Sequence, residues 1–279
     1  MNRLPTVAML VAEVSAEVAG DSPRTDAEIL IAWVTGKSRS WLYAHADAPV
    51  DEALIALVRQ AALRRRTGEP VAHIIGASEF WSLPLQVSAN TLIPRPETEL
   101  LVELALLRLP HGKTAQVLDL GTGSGAIALA IAHERLHARL TAVDAEPDAL
   151  VVAAANAQRL GLSSIRWLAS DWYAALQGQV FDLIVSNPPY ISDADPHLAQ
   201  GDLRFEPRSA LAAGPDGLDA LRPIIGGAGA HLRGGGSLLV EHGWEQGDAV
   251  RSLFTEAAFL DVKTFNDIEG RERVTLGNR

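Results

Sequence analysis

The apolar run Val117 to Leu120 passes directly into Gly121-Thr122-Gly123-Ser124-Gly125, which leads to a second apolar run from Ile127 to Arg135. Three glycines in five positions let the backbone turn tightly and present free N–H groups at the start of a helix, so the segment reads as strand, ligand-approachable loop and helix. The alternation continues downstream. Leu140 to Val143, Ile165 to Ala169, Phe181 to Ser186 and Ser237 to Glu241 read as buried strands, and Asp148 to Leu160 and Leu218 to Leu232 as helices. Such a pattern predicts an α/β fold with a doubly wound, mostly parallel sheet. Phe259 to Phe265 and Arg273 to Leu276 have only a polar loop between them, which predicts an antiparallel edge pair and brings the sheet to seven strands.

The chain before residue 77 has a different character. Residues 6 to 67 read as helices: Thr6 to Ala19 by apolar spacing, a second helix opened by Ser22-Pro23 and closed at Gly36, and Asp51 to Thr67 stopped at Gly68. No nucleophile, base or ligand set recurs there, so residues 1 to 77 are expected to form a small N-terminal helical domain for packing or partner recognition. His45 and His73 read as structural, and Arg64-Arg65-Arg66 as cations at a helix C-terminus. Glu79 to Ser82 and Leu85 to Ser88, arranged around Leu83-Pro84, predict a hairpin within a linker from 78 to 95. The remainder, 96 to 279, is the expected catalytic domain, opened by Pro94-Arg95-Pro96-Glu97-Thr98-Glu99 and a helix to Leu107.

Charge narrows the partners. With 24 Lys+Arg against 34 Asp+Glu the net charge is −10, which argues against a surface that tracks nucleic-acid phosphates. The absence of cysteine excludes disulfides and thiolate metal sites, and no metal site is expected. Arg3, Glu13 and Glu17 interrupt the N-terminal apolar residues, so neither a signal peptide nor a membrane span is expected and the cytoplasm is the default location, with the chain a monomer.

The glycine loop alone fits a dinucleotide fingerprint through Ala126, with Asp144 placed for a ribose hydroxyl. Asp119 points elsewhere, because a carboxylate before the loop opposes a pyrophosphate and suits a ligand with an ammonium group. S-adenosyl-L-methionine is such a ligand. Ser170-Asp171-Trp172 follows the third strand, where Asp171 can accept from an adenine amine and Trp172 can pack on the base. Asn187-Pro188-Pro189-Tyr190 ends the fourth strand. The Asn187 oxygen and the Pro188 carbonyl, held by proline rings, can accept the N–H groups of a planar nitrogen, and Tyr190 can stack on it. Glutamine amide and adenine amine both satisfy that description.

Taken together these segments, with Arg204-Phe205-Glu206-Pro207, Glu241-His242-Gly243 and Glu272 to Gly277, resemble the release-factor glutamine methyltransferases, the PrmC/HemK family of Rossmann-like S-adenosylmethionine-dependent enzymes. The resemblance implies N5-methylation of the glutamine in the Gly-Gly-Gln motif of class I peptide chain release factors. It implies that Gly121, Thr122, Gly123, Ser124, Gly125, Asp144, Asp171, Trp172 and Asn187 hold the cofactor. Asn187, Pro188, Pro189 and Tyr190 would form the glutamine pocket, with Asn187, Pro188 and Tyr190 catalytic, and Phe80 and Arg95 would close the site from the linker. Alternatives are a ribosomal-protein glutamine methyltransferase, a nucleic-acid adenine methyltransferase, and a non-catalytic cofactor-binding adaptor. The Pro94-Arg95-Pro96-Glu97 segment favours the release-factor reading over the first.

Overall fold

The computed structural model describes residues 4–18 and 20–279, so Arg3 and the Ala19 end of the first expected helix lie outside the described residues. Two compact units divide the chain, one of residues 1–76 with 199–205 and one of 77–198 with 206–279.

The first unit is helical: α1 Val7–Glu17, α2 Pro23–Thr35, α3 Arg39–Ala44, α4 Glu52–Arg66 and α5 Val71–Ile75. Side chains cap three of the starts, with Thr6 accepting from the Met9 amide, Ser38 from Trp41 and Asp51 from Ala53, while Gly36 at φ +66° closes α2. Leu10, Val14, Ile31 and Val58 are buried on the facing stripes. Glu28 is buried among them, yet Arg24, Arg39 and Tyr43 all donate to it. Burial alone would raise its pKa, but these bonds outweigh burial and hold the carboxyl below its usual range. The arginine triplet does end α4, as expected, but it does more than complement a dipole. Arg65 is buried, bridges Asp26 and Asp202, and donates to the carbonyls of Gly68 and Glu69. Asp202 belongs to the 199–205 segment, and that ion pair explains why a stretch expected in the catalytic domain belongs to the helical unit.

The second unit opens with the hairpin β1 Ala77–Phe80 and β2 Leu83–Gln86, then α6 Glu99–Arg108. The turn falls at Trp81-Ser82, two residues before the expected Leu83-Pro84. Both turn residues have positive φ, +53° and +57°, as a two-residue hairpin turn demands. Tertiary bonds hold that strained pair: the Trp81 amide donates to Glu99 and its indole to Glu134, at 2.8 and 3.0 Å. Pro84 lies in the outer strand opposite Glu79.

The main sheet follows from β3 Gln116–Leu120, α7 Ala126–Glu134, β4 Arg139–Asp144, α8 Pro147–Leu160, β5 Arg166–Ala169, β6 Phe181–Ser186, α9 Leu221–His231, β7 Leu232–Glu241, α10 Gly247–Glu256, β8 Leu260–Asn266 and β9 Glu272–Asn278. The order is β5-β4-β3-β6-β7-β9-β8, parallel except for β9, which is antiparallel to both β7 and β8. Val117, Leu183, Val185 and Leu239 face one core; Leu118, Leu120, Ile184, Leu238 and Val240 face the other. Burial on both faces is why these strands read as unbroken apolar runs, each fully buried Leu contributing about 1.5–3 kcal/mol. The helix α10, absent from the sequence expectation, fills the β7–β8 connection and buries Val250 and Phe254. No helix among the described residues is long and apolar enough to cross a membrane.

Strand order reverses at β3, whose partners are β4 on one side and β6 on the other. The carboxyl ends of β3 and β6 diverge there into the glycine loop and the Asn187 segment, creating the crevice in which open α/β sheets bind ligands.

Candidate functional site

One wall of the crevice is the loop after β3. Gly121, Gly123 and Gly125 have φ of +71°, +55° and +85°. The amides of Gly121 and Thr122 both donate to the Val143 carbonyl, and the Gly123 amide donates to Asp144 Oδ2 at 2.8 Å. Asp144, at the end of β4, also accepts from the Glu146 amide through Oδ1. A carboxylate has about four acceptor sites, so Asp144 retains capacity for ligand hydroxyls. The space over Gly123 is open, with no atom within 4 Å of the place a Cβ would occupy. Gly125 serves packing instead: a Cβ there would press on Ala153, Leu129 and Trp167, each at 3.1 Å. It caps α7 and does not line the cleft.

Asp119 is placed differently from its sequence reading. It is fully buried under the loop, accepts from Thr122 Oγ1 at 2.6 Å, and does not reach the cleft. Burial pushes its carboxyl up to about 7, against the Thr122 bond and the nearby Ala128 amide, while Asp144 adds to the rise. The argument against a phosphate ligand stands on other residues. Asp144, Glu146 and Asp171 line the cleft, and no Lys or Arg among the described residues does. An acidic cleft without a cation repels a pyrophosphate and accepts a cationic ligand.

The far end is bordered by Asp171 and Trp172. Ser170 shapes that turn by donating to the Trp172 carbonyl and accepting from the Ala175 amide, which sustains Trp172 at φ +43°. A Cβ on Gly121 would stand 3.4 Å from the Trp172 ring, so glycine there leaves room for the indole.

Across from the loop, Asn187 leaves β6 and lines the cleft with Pro189. Its Nδ2 donates to Thr98 Oγ1 at 3.0 Å, which leaves the amide oxygen for a ligand N–H. Pro188 is buried and outside the cleft lining; Tyr190, half-buried, also lies outside it, its hydroxyl donating to Glu241 Oε1 at 3.3 Å and its ring packing with the second core. Burial, followed by the Glu241 charge, pushes the Tyr190 pKa up, so the phenol stays protonated.

The chain matches the PrmC N-terminal domain family over residues 12–76 and the methyltransferase small domain family over 96–203. Release factor glutamine methyltransferase from Salmonella typhimurium is 54% identical over 92% of each chain, and that from Escherichia coli K12 is 52% identical over 93% of each. The chain belongs to the release factor glutamine methyltransferase family. It is an S-adenosylmethionine-dependent methyltransferase. A methyltransferase from Pyrococcus furiosus shares the fold, with a TM-score of 0.53 at 18% identity, covering 70% of this chain and 88% of that one.

Within this methyltransferase the structure gathers Gly121, Thr122, Gly123, Ser124, Asp144, Asp171, Trp172, Asn187 and Pro189 around one cleft, while Gly125, Pro188 and Tyr190 stand behind it. Phe80 is 2% exposed in the first core and closes nothing. Arg95 pairs with Glu206, whose other oxygen accepts from the Ile93 amide, and this pair pins the segment leading to Pro207 and Ser209 on the cleft wall. Thr91, Thr98, Glu146 and Ser209 line the cleft without having been singled out from the sequence. Thr98 had a sequence signal in hindsight: a lone hydroxyl between Glu97 and Glu99.

Proposed function

We propose that this enzyme transfers the methyl group of S-adenosyl-L-methionine to N5 of the glutamine side chain in the Gly-Gly-Gln motif of class I peptide chain release factors, in the cytoplasm. The observation that carries this reading is the placement of Asn187: an amide whose nitrogen is committed to Thr98, on the rim of a cation-accepting cleft built from the glycine loop and Asp144. The relatives at 52–54% identity carry the substrate name.

The residues present fit the donor. Gly121 and Gly123 allow close approach, Asp144 has free acceptor capacity for the ribose hydroxyls, Asp171 and Trp172 receive the adenine, and the acidic lining complements a sulfonium and an ammonium. When bound, S-adenosylmethionine supplies an electrophilic methyl on a positively charged sulfur. Asn187 Oδ1 would accept an N–H of the substrate amide and aim its nitrogen along the line of transfer. The methyl would pass from the sulfonium to the amide nitrogen that Asn187 orients, and the alkylated amide would shed a proton to water. Alignment supplies most of the gain, so no strong base is required. Pro188, rigid and buried, fixes the turn that carries Asn187, and Tyr190 supports that turn from behind.

Incubation with methyl-labelled cofactor and a purified release factor tests the reading, with the label mapped by peptide mass spectrometry. One methyl on the Gly-Gly-Gln glutamine is the expected result. Labelling of DNA or of a ribosomal protein in its place would overturn it.

A further inference from the structure

The buried face of α8 consists of Ala149, Ala153, Ala157 and one polar residue, Asn156. Spacings of three and four residues put these side chains on one stripe, and the alanines let the helix come close to the glycine loop: a Cβ on Gly125 would meet that of Ala153 at 3.1 Å. An asparagine inside a helix is a poor helix former and costs free energy to bury unless its polar atoms are paired. Asn156 is 0% exposed, so its partners must offset that cost.

Main-chain groups engage both ends of its carboxamide. Oδ1 accepts from the Gln86 amide at 2.6 Å, and Nδ2 donates to the carbonyls of Gln86 and Ser124, each at 3.0 Å. Two donors and an acceptor on one flat group belong to a carboxamide and to neither a carboxylate nor a hydroxyl, and these partners leave no ambiguity about which end is oxygen. Gln86 ends β2, 70 residues before Asn156, and Ser124 stands in the glycine loop. The earlier part of that loop is fastened to β4 through Val143 and Asp144, whereas the Ser124 carbonyl is fastened to α8. Ser124 lines the cleft, and the chain from Gln86 leads into Asn90, Thr91, Leu92 and Pro94, which line it too. About two turns earlier on α8, Asp148 accepts from Asn90 at 3.4 Å, so the same helix meets this stretch at a second point.

We propose that Asn156 is a positioning residue for the methyl-donor site: one buried carboxamide holds the end of the glycine loop and the end of the linker hairpin in register, so that two stretches of the cleft lining are set in place together. This rests on the reading of the cleft as the S-adenosylmethionine site. Because one rigid group carries both sets of bonds, the two stretches are coupled. A bound donor that orders the loop fixes the amide on Gln86, and release of Gln86 frees the amide to turn away from Ser124; by linkage the effect is equal in both directions.

The test compares wild type, Asn156→Asp, Asn156→Ser and Gln86→Pro in calorimetric binding of S-adenosylmethionine, in turnover of a release factor at saturating donor, and in hydrogen exchange of the Gln86 amide with and without donor. Asn156→Asp keeps the shape and the acceptor but loses both donors, and is expected to weaken donor binding about tenfold, the factor equivalent to one net hydrogen bond, while kcat at saturation stays within about twofold. Asn156→Ser, too short to span both segments, is expected to lose as much. Gln86→Pro removes only the linker donor, on an exposed residue of a two-stranded sheet where proline is tolerated, and is expected to weaken binding by about threefold. In wild type the bound donor is expected to slow exchange of the Gln86 amide about fivefold. Variants that melt earlier yet bind the donor as wild type does, or a Gln86 amide whose exchange ignores the donor, show an asparagine that only supports the fold and overturn the proposal. Should the Asn156 variants fail to fold, Gln86→Pro and the wild-type exchange decide alone. Wild type that binds no S-adenosylmethionine, or Asp144→Ala with undiminished affinity for it, refutes the reading of the cleft itself and is thereby distinguished from failure of the inference.

Discussion

Two carboxyls are buried behind the two walls of one cleft, and burial pushes both up to about 7. Asp119 lies under the glycine loop and Glu241 behind the Asn187 segment, but their partners come from different ranges of the chain. Asp119 accepts from Thr122, three residues on. Glu241 accepts from Tyr190, 51 residues away, and Thr98 in turn accepts from Asn187 across 89 residues. The first arrangement is a self-contained loop on one wall of the cleft. The second draws on segments far apart in the chain around Asn187, so under the proposed function its disturbance is expected to appear in turnover before it appears in cofactor binding.

Asn187→Ala should separate the two walls most sharply. Turnover is expected to drop about a hundredfold or more, as when a transition-state hydrogen-bonding group is removed, while calorimetry shows cofactor affinity nearly unchanged. Equal loss of both would merge the walls into one unit.

Stability against pH tests the shared property of the two carboxyls. Their folded pKa values of about 7 stand above the ordinary 3.8 of Asp and 4.5 of Glu, so the folded protein keeps protons that the unfolded chain has released. The favourable contribution is complete below pH about 4 and is lost as pH rises through about 7, a change of roughly 2–4 kcal/mol per group. Denaturant titration of Asp119→Asn and of Glu241→Gln at pH 5 and 8 is expected to show a smaller loss on the alkaline side than wild type does. Unchanged pH dependence would show that neither group is neutral in the folded state at pH 5.

Thr122→Val removes the donor to Asp119 and is expected to cost about 1–3 kcal/mol of stability and to weaken cofactor binding, with kcat at saturation retained. The comparison with Asn187→Ala sharpens if the two variants split in this way and breaks if both act on the same parameter. Gly125→Ala should be the mildest change, about 1–2 kcal/mol in thermal unfolding, from the left-handed backbone and the contact with Ala153, Leu129 and Trp167.

Much of this molecule is local physics written along the chain. The strands of the parallel sheet are legible because burial on both faces leaves unbroken apolar runs, and the glycine loop because only glycine adopts three left-handed conformations in five residues without cost. The hairpin turn was displaced by two residues, since the bonds from Glu99 and Glu134 that hold Trp81 at positive φ come from other elements. Asp119 was read as a ligand group because a carboxylate beside a glycine loop is visible in sequence, whereas its burial under that loop is not. Phe80 was placed at the site by resemblance and belongs to the core.

Periodicity and turn chemistry act over a few residues, so the layer architecture, the crevice at the carboxyl ends of β3 and β6 and the residue types of the cleft are legible along the chain. Which of those residues reach the cleft and which stand behind it depends on the folded chain. Gly125, Pro188 and Tyr190 adjoin cleft residues in the chain yet pack inward, and Thr98 meets Asn187 only because α6 is set against the sheet. Burial and hydrogen-bond direction depend on neighbours from distant segments, and those neighbours exist only once the chain has folded.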